Sequence, residues 1–387
     1  MRLVTNEQMR AIDKDTIINL PIKSIDLMEN AAIALYNYLK DVISKDKKIM
    51  IICGGGNNGG DGLALARLLN ENNYNVNAYM SGNLNHLSED CQINYNRLDK
   101  ALLSDNLDSY DIYIDAIFGT GLNKDINGNY YEVIDQVNNI DAYKIAVDIP
   151  SGINGNSGKS YNIAFKADLT LTLASMKTGL CFNDARLLCG KIVVLDIGIK
   201  EETIRKLSDH YELIDKKLAK ELLPERKIRS NKGTYGKVLC VGGSKRMSGA
   251  ICLASSTALR CGCGMMCMAI PESIRNSCAG NVLESTYELL SESDGYISEH
   301  AVSEINIQPY STYLFGCGIG RINDYKALLE KLLDTGKPIV IDADGLISFK
   351  DCPPEFASQS GGARICGWPY FCRLDTTYRM QGNKLIV

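Results

Sequence analysis

Histidine is scarce in this chain, three in 387 residues. An imidazole metal site or a histidine-based nucleophile is therefore not expected, and His86, inside a polar stretch, reads as solvated. Long apolar runs are missing too. None approaches the roughly 20 residues that cross a bilayer, and Met1 to Asn6 is polar where a signal peptide would be basic and then apolar. The net charge of −4 leaves no basic footprint for nucleic acid or an anionic membrane. The fourteen cysteines contain no C-x-x-C pair. Cys261, Cys263 and Cys267 lie in an apolar stretch with no histidine nearby, so they read as core and not as zinc ligands. A reducing cytoplasm is the expected compartment.

Glycine, by contrast, is concentrated. Ile49 to Cys53 is a short apolar run with the length and branching of a buried parallel strand. Leu63, Ala64, Leu65, Ala66, Leu68 and Leu69 read as a helix packed on that sheet. Between them stand six glycines in nine residues, Gly54 to Gly62. A strand, a glycine-rich turn and a helix N-terminus make an anion site, because the first helical N–H groups lack internal partners. The spacing is neither G-x-G-x-x-G nor G-x-x-x-x-G-K-[ST]. Asn57, Asn58 and Asp61 add side-chain oxygens where the backbone is open.

Further strands are expected at Asn75 to Met80, Asp111 to Phe118, Lys144 to Ile149, Asp168 to Ala174 and Lys191 to Ile197, with helices over 5–45, 83–109 and 130–139. The alternation predicts an α/β fold with a doubly wound, Rossmann-like parallel sheet. Ligands of such sheets sit outside the carboxyl ends of the strands. Three polar clusters fall there: Asn57/Asn58/Asp61, Asp115 with the loop Gly119 to Asp125, and Asp148 with Ser151. Asn58, Asp115 and Ser151 offer only hard oxygen donors, which suit an alkali or alkaline-earth cation better than zinc.

Residues 200–232 are rich in charge and read as a junction. A second α/β series follows: Gly236 to Gly243 as strand then glycine-rich turn, Ser248 to Gly262 as helix, Met265 to Ile270 as strand, Thr312 to Gly320 as strand plus glycine loop, Asp324 to Leu333 as helix, and Pro338 to Leu346 as a strand ending in acids. After Ile347 the composition changes. Residues 348–387 hold three cysteines and the only tryptophan, with no evident periodicity, and read as an anomalous tail of the kind a shifted reading frame or a cloning scar leaves.

Five motifs in order, Leu27-Met-Glu-Asn-Ala, Gly56-Asn-Asn-Gly-Gly-Asp-Gly62, Asp115-Ala-Ile-Phe-Gly-Thr-Gly121, Val147-Asp-Ile-Pro-Ser-Gly152 and Leu173-Ala-Ser-Met-Lys-Thr-Gly-Leu180, resemble the NAD(P)H-hydrate epimerase (YjeF N-terminal) domain. Lys232-Gly-Thr-Tyr-Gly-Lys-Val, Gly242-Gly-Ser, Met247-Ser-Gly-Ala250, Gly316-Cys-Gly-Ile-Gly320 and Asp342-Ala-Asp-Gly-Leu resemble the start of the ADP-dependent NAD(P)H-hydrate dehydratase domain, which is ribokinase-like. The order matches the fused bifunctional repair enzyme. The resemblance implies an epimerase domain over 1–215, a linker over 216–231 and a partial dehydratase domain over 232–347. The family's Pro-His-Pro-Gly-Glu and Gly-Ser-Gly-Asp segments do not occur before Val387, and Cys317 stands where the family has proline. An incomplete second sheet with an unpaired edge at Ile339 to Ile341, and no dehydratase activity, are the expectations that follow.

The implied substrate is NADHX or NADPHX, reduced nicotinamide hydrated at ring carbon 6, whose R and S forms the epimerase interconverts. The resemblance implies Asp148 as the acid–base group, with Asn57, Asn58, Gly59, Gly60, Asp61 and the loop Gly119, Thr120, Gly121, Leu122, Asn123, Lys124, Asp125 holding the dinucleotide. It also implies potassium on Asn58, Asp115 and Ser151, and ADP or ATP in a complete dehydratase domain with Ala250 and Gly320 near its substrate. Lys177 is set aside as a solvated lysine or a partner of phosphate or Asp148. No nucleic-acid or membrane partner is expected, and a homo-oligomer is. The alternative is a non-catalytic binding module of the epimerase type, which loss of the acidic site residues would mark. Asp61, Asp115 and Asp148 are all present.

Overall fold

A computed structural model of the chain describes residues 1–19, 22–208, 211–223 and 225–350, and the backbone of a strand at 363–366. The chain forms two compact units, Met1–Leu213 and Ile214–Val387.

The first unit runs β1 (Leu3–Val4), α1 (Asn6–Asn19), α2 (Ser24–Leu39), β2 (Lys48–Cys53), α3 (Asn57–Glu71), β3 (Asn75–Met80), α4 (Glu89–Arg97), β4 (Ile112–Ala116), α5 (Asn129–Asn138), β5 (Tyr143–Val147), β6 (Leu169–Leu173), β7 (Met176–Lys177), α6 (Ala185–Leu188), β8 (Lys191–Leu195) and α7 (Glu201–Leu207). Its main sheet is parallel throughout, in the order β3-β2-β4-β5-β6-β8. The doubly wound expectation holds. Strand β2 shows why a continuous apolar run is needed. Ile49, Ile51 and Cys53 enter one core with α1 to α4, while Met50 and Ile52 enter another with Val133, Ile134 and Val137 of α5. Side chains alternate across a strand, so a sheet covered on both faces needs apolar residues at every position.

Strand order reverses between β2 and β4, and the chain is tightest there. The Gly54 N–H donates to Ala116 O at 3.1 Å, and a Cβ at Gly54 would lie 2.1 Å from Ile117 O. Neither backbone can yield cheaply. Gly54→Ala should lower the urea unfolding free energy of the first unit by about 1–3 kcal/mol or more. An unchanged midpoint and slope would show that the two loops are not packed this way.

The continuous helix expected over 83–109 is broken into a turn at Leu84–His86, α4, and a turn at Lys100–Leu102. The side chains of Asn83 and Asp99 accept from the N–H two residues on, at 2.9 and 3.0 Å. Such local bonds compete with helix continuation.

The second unit contains α8 (Lys216–Leu222), β9 (Lys237–Val241), α9 (Ser248–Cys261), β10 (Met265–Pro271), α10 (Arg275–Asn281), β11 (Thr286–Leu290), β12 (Glu292–Ser293), β13 (Tyr296–Ile297), α11 (Ala301–Glu304), β14 (Thr312–Phe315), α12 (Lys326–Leu333), β15 (Ile339–Asp342), α13 (Gly345–Lys350) and β16 (Ala363–Cys366). Its parallel sheet has the order β11-β10-β9-β14-β15-β16. The reversal point repeats the device of the first unit: a Cβ on Gly242, after β9, would lie 2.6 Å from Cys317 O, after β14. The unpaired edge expected at Ile339 to Ile341 is corrected. Strand β15 pairs in parallel with β16, Ile339 with Ala363 through Asp342 with Cys366, so its outer N–H and C=O row is covered. Apart from 348–350 and that strand, the stretch read as an anomalous tail lies outside the described residues.

Candidate active site

Helix α3 begins at Asn57, earlier than the apolar pattern suggested, with Gly56 as its N-cap. Gly59, Gly60 and Gly62 are therefore helical. A Cβ on Gly59 would lie 1.9 Å from Gly54 O, and one on Gly60 would lie 2.7 Å from the Met28 sulfur. These glycines let the helix start against the strand ends and against α2. Neither Gly59 nor Gly60 lines the cavity described next, whereas Gly56, Asn57, Asn58 and Asp61 do.

That cavity has a volume of about 390 Å³ and opens at the carboxyl edge of the first sheet. The loop after β4 contributes Gly119, Thr120, Gly121 and Leu122, and the end of β5 contributes Asp148. Asn123, Lys124 and Asp125 are exposed and lie outside the lining. Helices α1 and α2 close the remaining sides, through Met9, Arg10, Asp13 and Ile17 and through Ser24, Leu27 and Met28. Arg10 Nη2 donates to Thr120 O at 3.4 Å, tying α1 to the loop. Ala250 and Gly320 belong to the second unit. Ala250 lies on α9, its Cβ 3.1 Å from where a Gly318 side chain would begin, and Gly320 has a φ of 85° and faces Tyr296.

Asp148 is held with its two oxygens in different surroundings. Its Oδ1 accepts from Lys177 Nζ, from Leu173 N at 3.2 Å and from Thr172 Oγ1 at 3.3 Å. Its Oδ2 lies on the Gly119 side, 3.2 Å from where a side chain there would begin. Asp148 itself has a φ of 66°, a left-handed conformation uncommon outside glycine, asparagine and aspartate. It turns the chain sharply at the strand end. Lys177 is 1% exposed. Besides Asp148 it donates to Leu173 O at 2.8 Å and Thr172 Oγ1 at 3.1 Å, so all three of its protons are used. It is no solvated lysine. The signal was present: it stands as the one charge in the stretch 169–181.

Two other carboxyls share the cavity. Burial pushes Asp61 well above the usual carboxylate range, reinforced by the negative charges of Asp148, Asp13 and Asp90 and opposed by Lys177. Burial lifts Asp13 to about 6, with Lys177 pulling it down and Asp148 pushing it up. Asp13 did not emerge from the sequence, because α1 was read only for its apolar face. Its position four residues after Met9 and four before Ile17, inside that stripe, was the available sign.

Asp115 and Ser151 are brought together, behind the cavity wall. Asp115 is fully buried and accepts from Ser151 N at 2.7 Å, Ser151 Oγ at 2.7 Å and Ile117 N at 3.0 Å. Burial nonetheless lifts it to about 6. Asn58 Nδ2 donates to Val147 O at 3.3 Å. Among the described residues no His/Cys/Asp/Glu group of three or more could hold a metal, and no helix is long and apolar enough to cross a membrane.

Residues 24–179 match the family described as YjeF-related protein N-terminus, and residues 238–361 match NAD(P)H-hydrate dehydratase. The latter match runs past Ile347. The NAD(P)H-hydrate epimerase of Limosilactobacillus fermentum is 41% identical over 202 residues, 50% of this chain and 95% of its own. The solved ADP/ATP-dependent NAD(P)H-hydrate dehydratase of Bacillus subtilis, co-crystallised with ATP and magnesium, is 27% identical with a TM-score of 0.30. That likeness covers 34% of this chain and 45% of the other. The bifunctional NAD(P)H-hydrate repair enzyme Nnr of Dictyoglomus turgidum is 35% identical over 370 residues, 91% of this chain and 71% of its own. A likeness of that depth, spanning both units, makes this chain a member of the bifunctional NAD(P)H-hydrate repair enzyme family.

Proposed function

We propose that the first unit interconverts the R and S epimers of NADHX and NADPHX, and that Asp148 moves the proton. The observation that carries the reading is the division of labour on Asp148: one oxygen is fastened by three donors while the other is left on the cavity side. A fixed carboxyl with one free oxygen can, in its acid form, protonate a departing hydroxyl and then, as the carboxylate, take a proton from the returning water. The ring nitrogen next to carbon 6 stabilises the cation between these steps. Asn57, Asn58 and the N-terminal turn of α3 hold the anionic part of the substrate, with the loop 119–125 over it. A non-catalytic binding role is disfavoured, since Asp61, Asp115 and Asp148 are all kept.

The residues fit a monovalent cation. Asp115 is a buried carboxylate with no cationic side chain paired to it among the described residues, and Asn58 and Ser151 add only oxygen donors. When bound by Asn58, Asp115 and Ser151, potassium would neutralise Asp115 and steady the loop after β4. The division of work follows the chain: epimerisation in residues 1–215, a connection over 216–231, and over 232–347 the part that resembles the ADP- or ATP-dependent dehydratase, with Ala250 and Gly320 placed beside its substrate.

The test is chromatographic. Purified full chain should speed the approach of separated R- and S-NADHX to their equilibrium mixture, more so with potassium than with sodium. Asp115→Asn should weaken the potassium dependence more than the limiting rate. A folded protein that leaves the uncatalysed rate unchanged would refute the assignment.

A further inference from the structure

The chemistry proposed for the site needs two proton-handling positions, and the cavity holds a second carboxyl suited to one of them. Loss of the hydroxyl flattens ring carbon 6. Inversion then requires water to add on the face opposite to the one the hydroxyl left. A single carboxyl beside one face serves departure and return on that face alone. Asp13 enters the same cavity as Asp148 from another element, helix α1 instead of the sheet edge. Among the described residues the Asp13 carboxyl makes no hydrogen bond or ion pair, whereas that of Asp148 is fastened by Lys177, Thr172 and Leu173. Three acids share this space, Asp13, Asp61 and Asp148, and Lys177 is the ammonium that faces them. We infer that Asp13 is the second acid–base group of the epimerisation, working on the ring face that Asp148 does not serve.

The proposal rests on the epimerase reading. In one direction Asp13 in its acid form gives its proton to the carbon-6 hydroxyl. The C–O bond breaks with its electron pair leaving on water, and the nitrogen lone pair fills the gap. Water then bonds to carbon 6 on the other face and loses a proton to the Asp148 carboxylate. One proton has passed from Asp13 to Asp148, and exchange with solvent restores the starting forms. In the other direction the roles are exchanged. Burial favours the protonated form of Asp13, and the Lys177 ammonium lies against Asp148, so the two acids stand in different surroundings, as two complementary roles require.

The experiment uses the full chain in H₂¹⁸O with separated epimers, following both inversion and ¹⁸O entry into unconverted substrate. Wild type should label both epimers as they interconvert. Asp13→Asn, which is nearly isosteric and breaks no side-chain hydrogen bond or ion pair among the described residues, should slow inversion about 10²-fold or more yet still label one epimer, the one whose hydroxyl faces Asp148. Asp148→Asn should leave labelling of the opposite epimer. Asp13→Glu, which keeps an acid, should recover part of the inversion. Near wild-type inversion in Asp13→Asn, or loss of labelling for both epimers in a variant with unchanged melting, would overturn the role of Asp13 while leaving the epimerase reading intact. A wild-type protein that neither inverts nor labels would overturn both.

Discussion

Asp148→Asn should lower kcat for NADHX epimerisation by about 10²–10⁴-fold, the usual contribution of a single acid–base group, with KM little changed. The asparagine oxygen can keep the place of Oδ1 and its donors, Lys177, Thr172 and Leu173. What changes is the cavity side, where an amide nitrogen that neither accepts nor delivers a proton replaces Oδ2. Binding contacts from α3 and the 119–122 loop remain, so the loss should fall on turnover. Initial rates over a range of NADHX concentrations, with a melting curve to confirm folding, decide it. Turnover within about threefold of wild type would remove Asp148 from the role, since a lost acid–base group costs far more.

Lys177→Met should cost about 3–5 kcal/mol of stability at neutral pH, the range for breaking a buried pair by deleting one partner. The side chain is 1% exposed and Asp148 12% exposed, so water can do little to replace it. The deficit should depend on pH in a definite sense. Without the Lys177 ammonium, Asp13, already lifted to about 6 by burial, rises further. The native state then holds a proton that the unfolded chain, titrating near the ordinary value of about 3.9, gives up. More protons on the native state mean stability that falls as pH rises, so the deficit should shrink as pH is lowered from about 7 to about 5. Adding Asp148→Asn to Lys177→Met removes the orphaned charge and should restore part of the loss, which a double-mutant cycle in urea measures. A single substitution costing under about 1 kcal/mol would show that the ammonium is dispensable.

The parallel sheets were legible because their strands are buried on both faces. Ile49 to Cys53 has no polar position to blur the reading, and the glycines after it mark the point where two backbones meet. What escaped the reading depends on contacts between distant segments. Lys177 is ordinary by residue type. Its burial follows from β7 lying beside β1 and from an aspartate 29 positions earlier. Asp13 sits on a helix whose local pattern says only which face is apolar, not that the face looks into a cavity. Gly59 and Gly60 show the opposite error. Their lack of a side chain suggests ligand approach, whereas Gly54 and Met28 are what crowd them. Local sequence tells that space is needed at such a position, and the tertiary neighbour decides for what.

The short strand β1 has a temporal consequence. Leu3 and Val4 pair with Met176 and Lys177, and the Leu3 N–H also reaches Tyr211 O at 3.0 Å. At about 5–20 residues per second on the ribosome, roughly 10–35 s separate the appearance of β1 from that of its partner strand. Through that interval β1 has no partner strand, and the segment bearing Asp13 is not yet fastened to the later half of its unit. The pocket is therefore assembled from the first residues made and nearly the last of its unit. Pulse proteolysis of stalled nascent chains should find α1 cleavable until residues 176–177 have cleared the exit tunnel, and protected after.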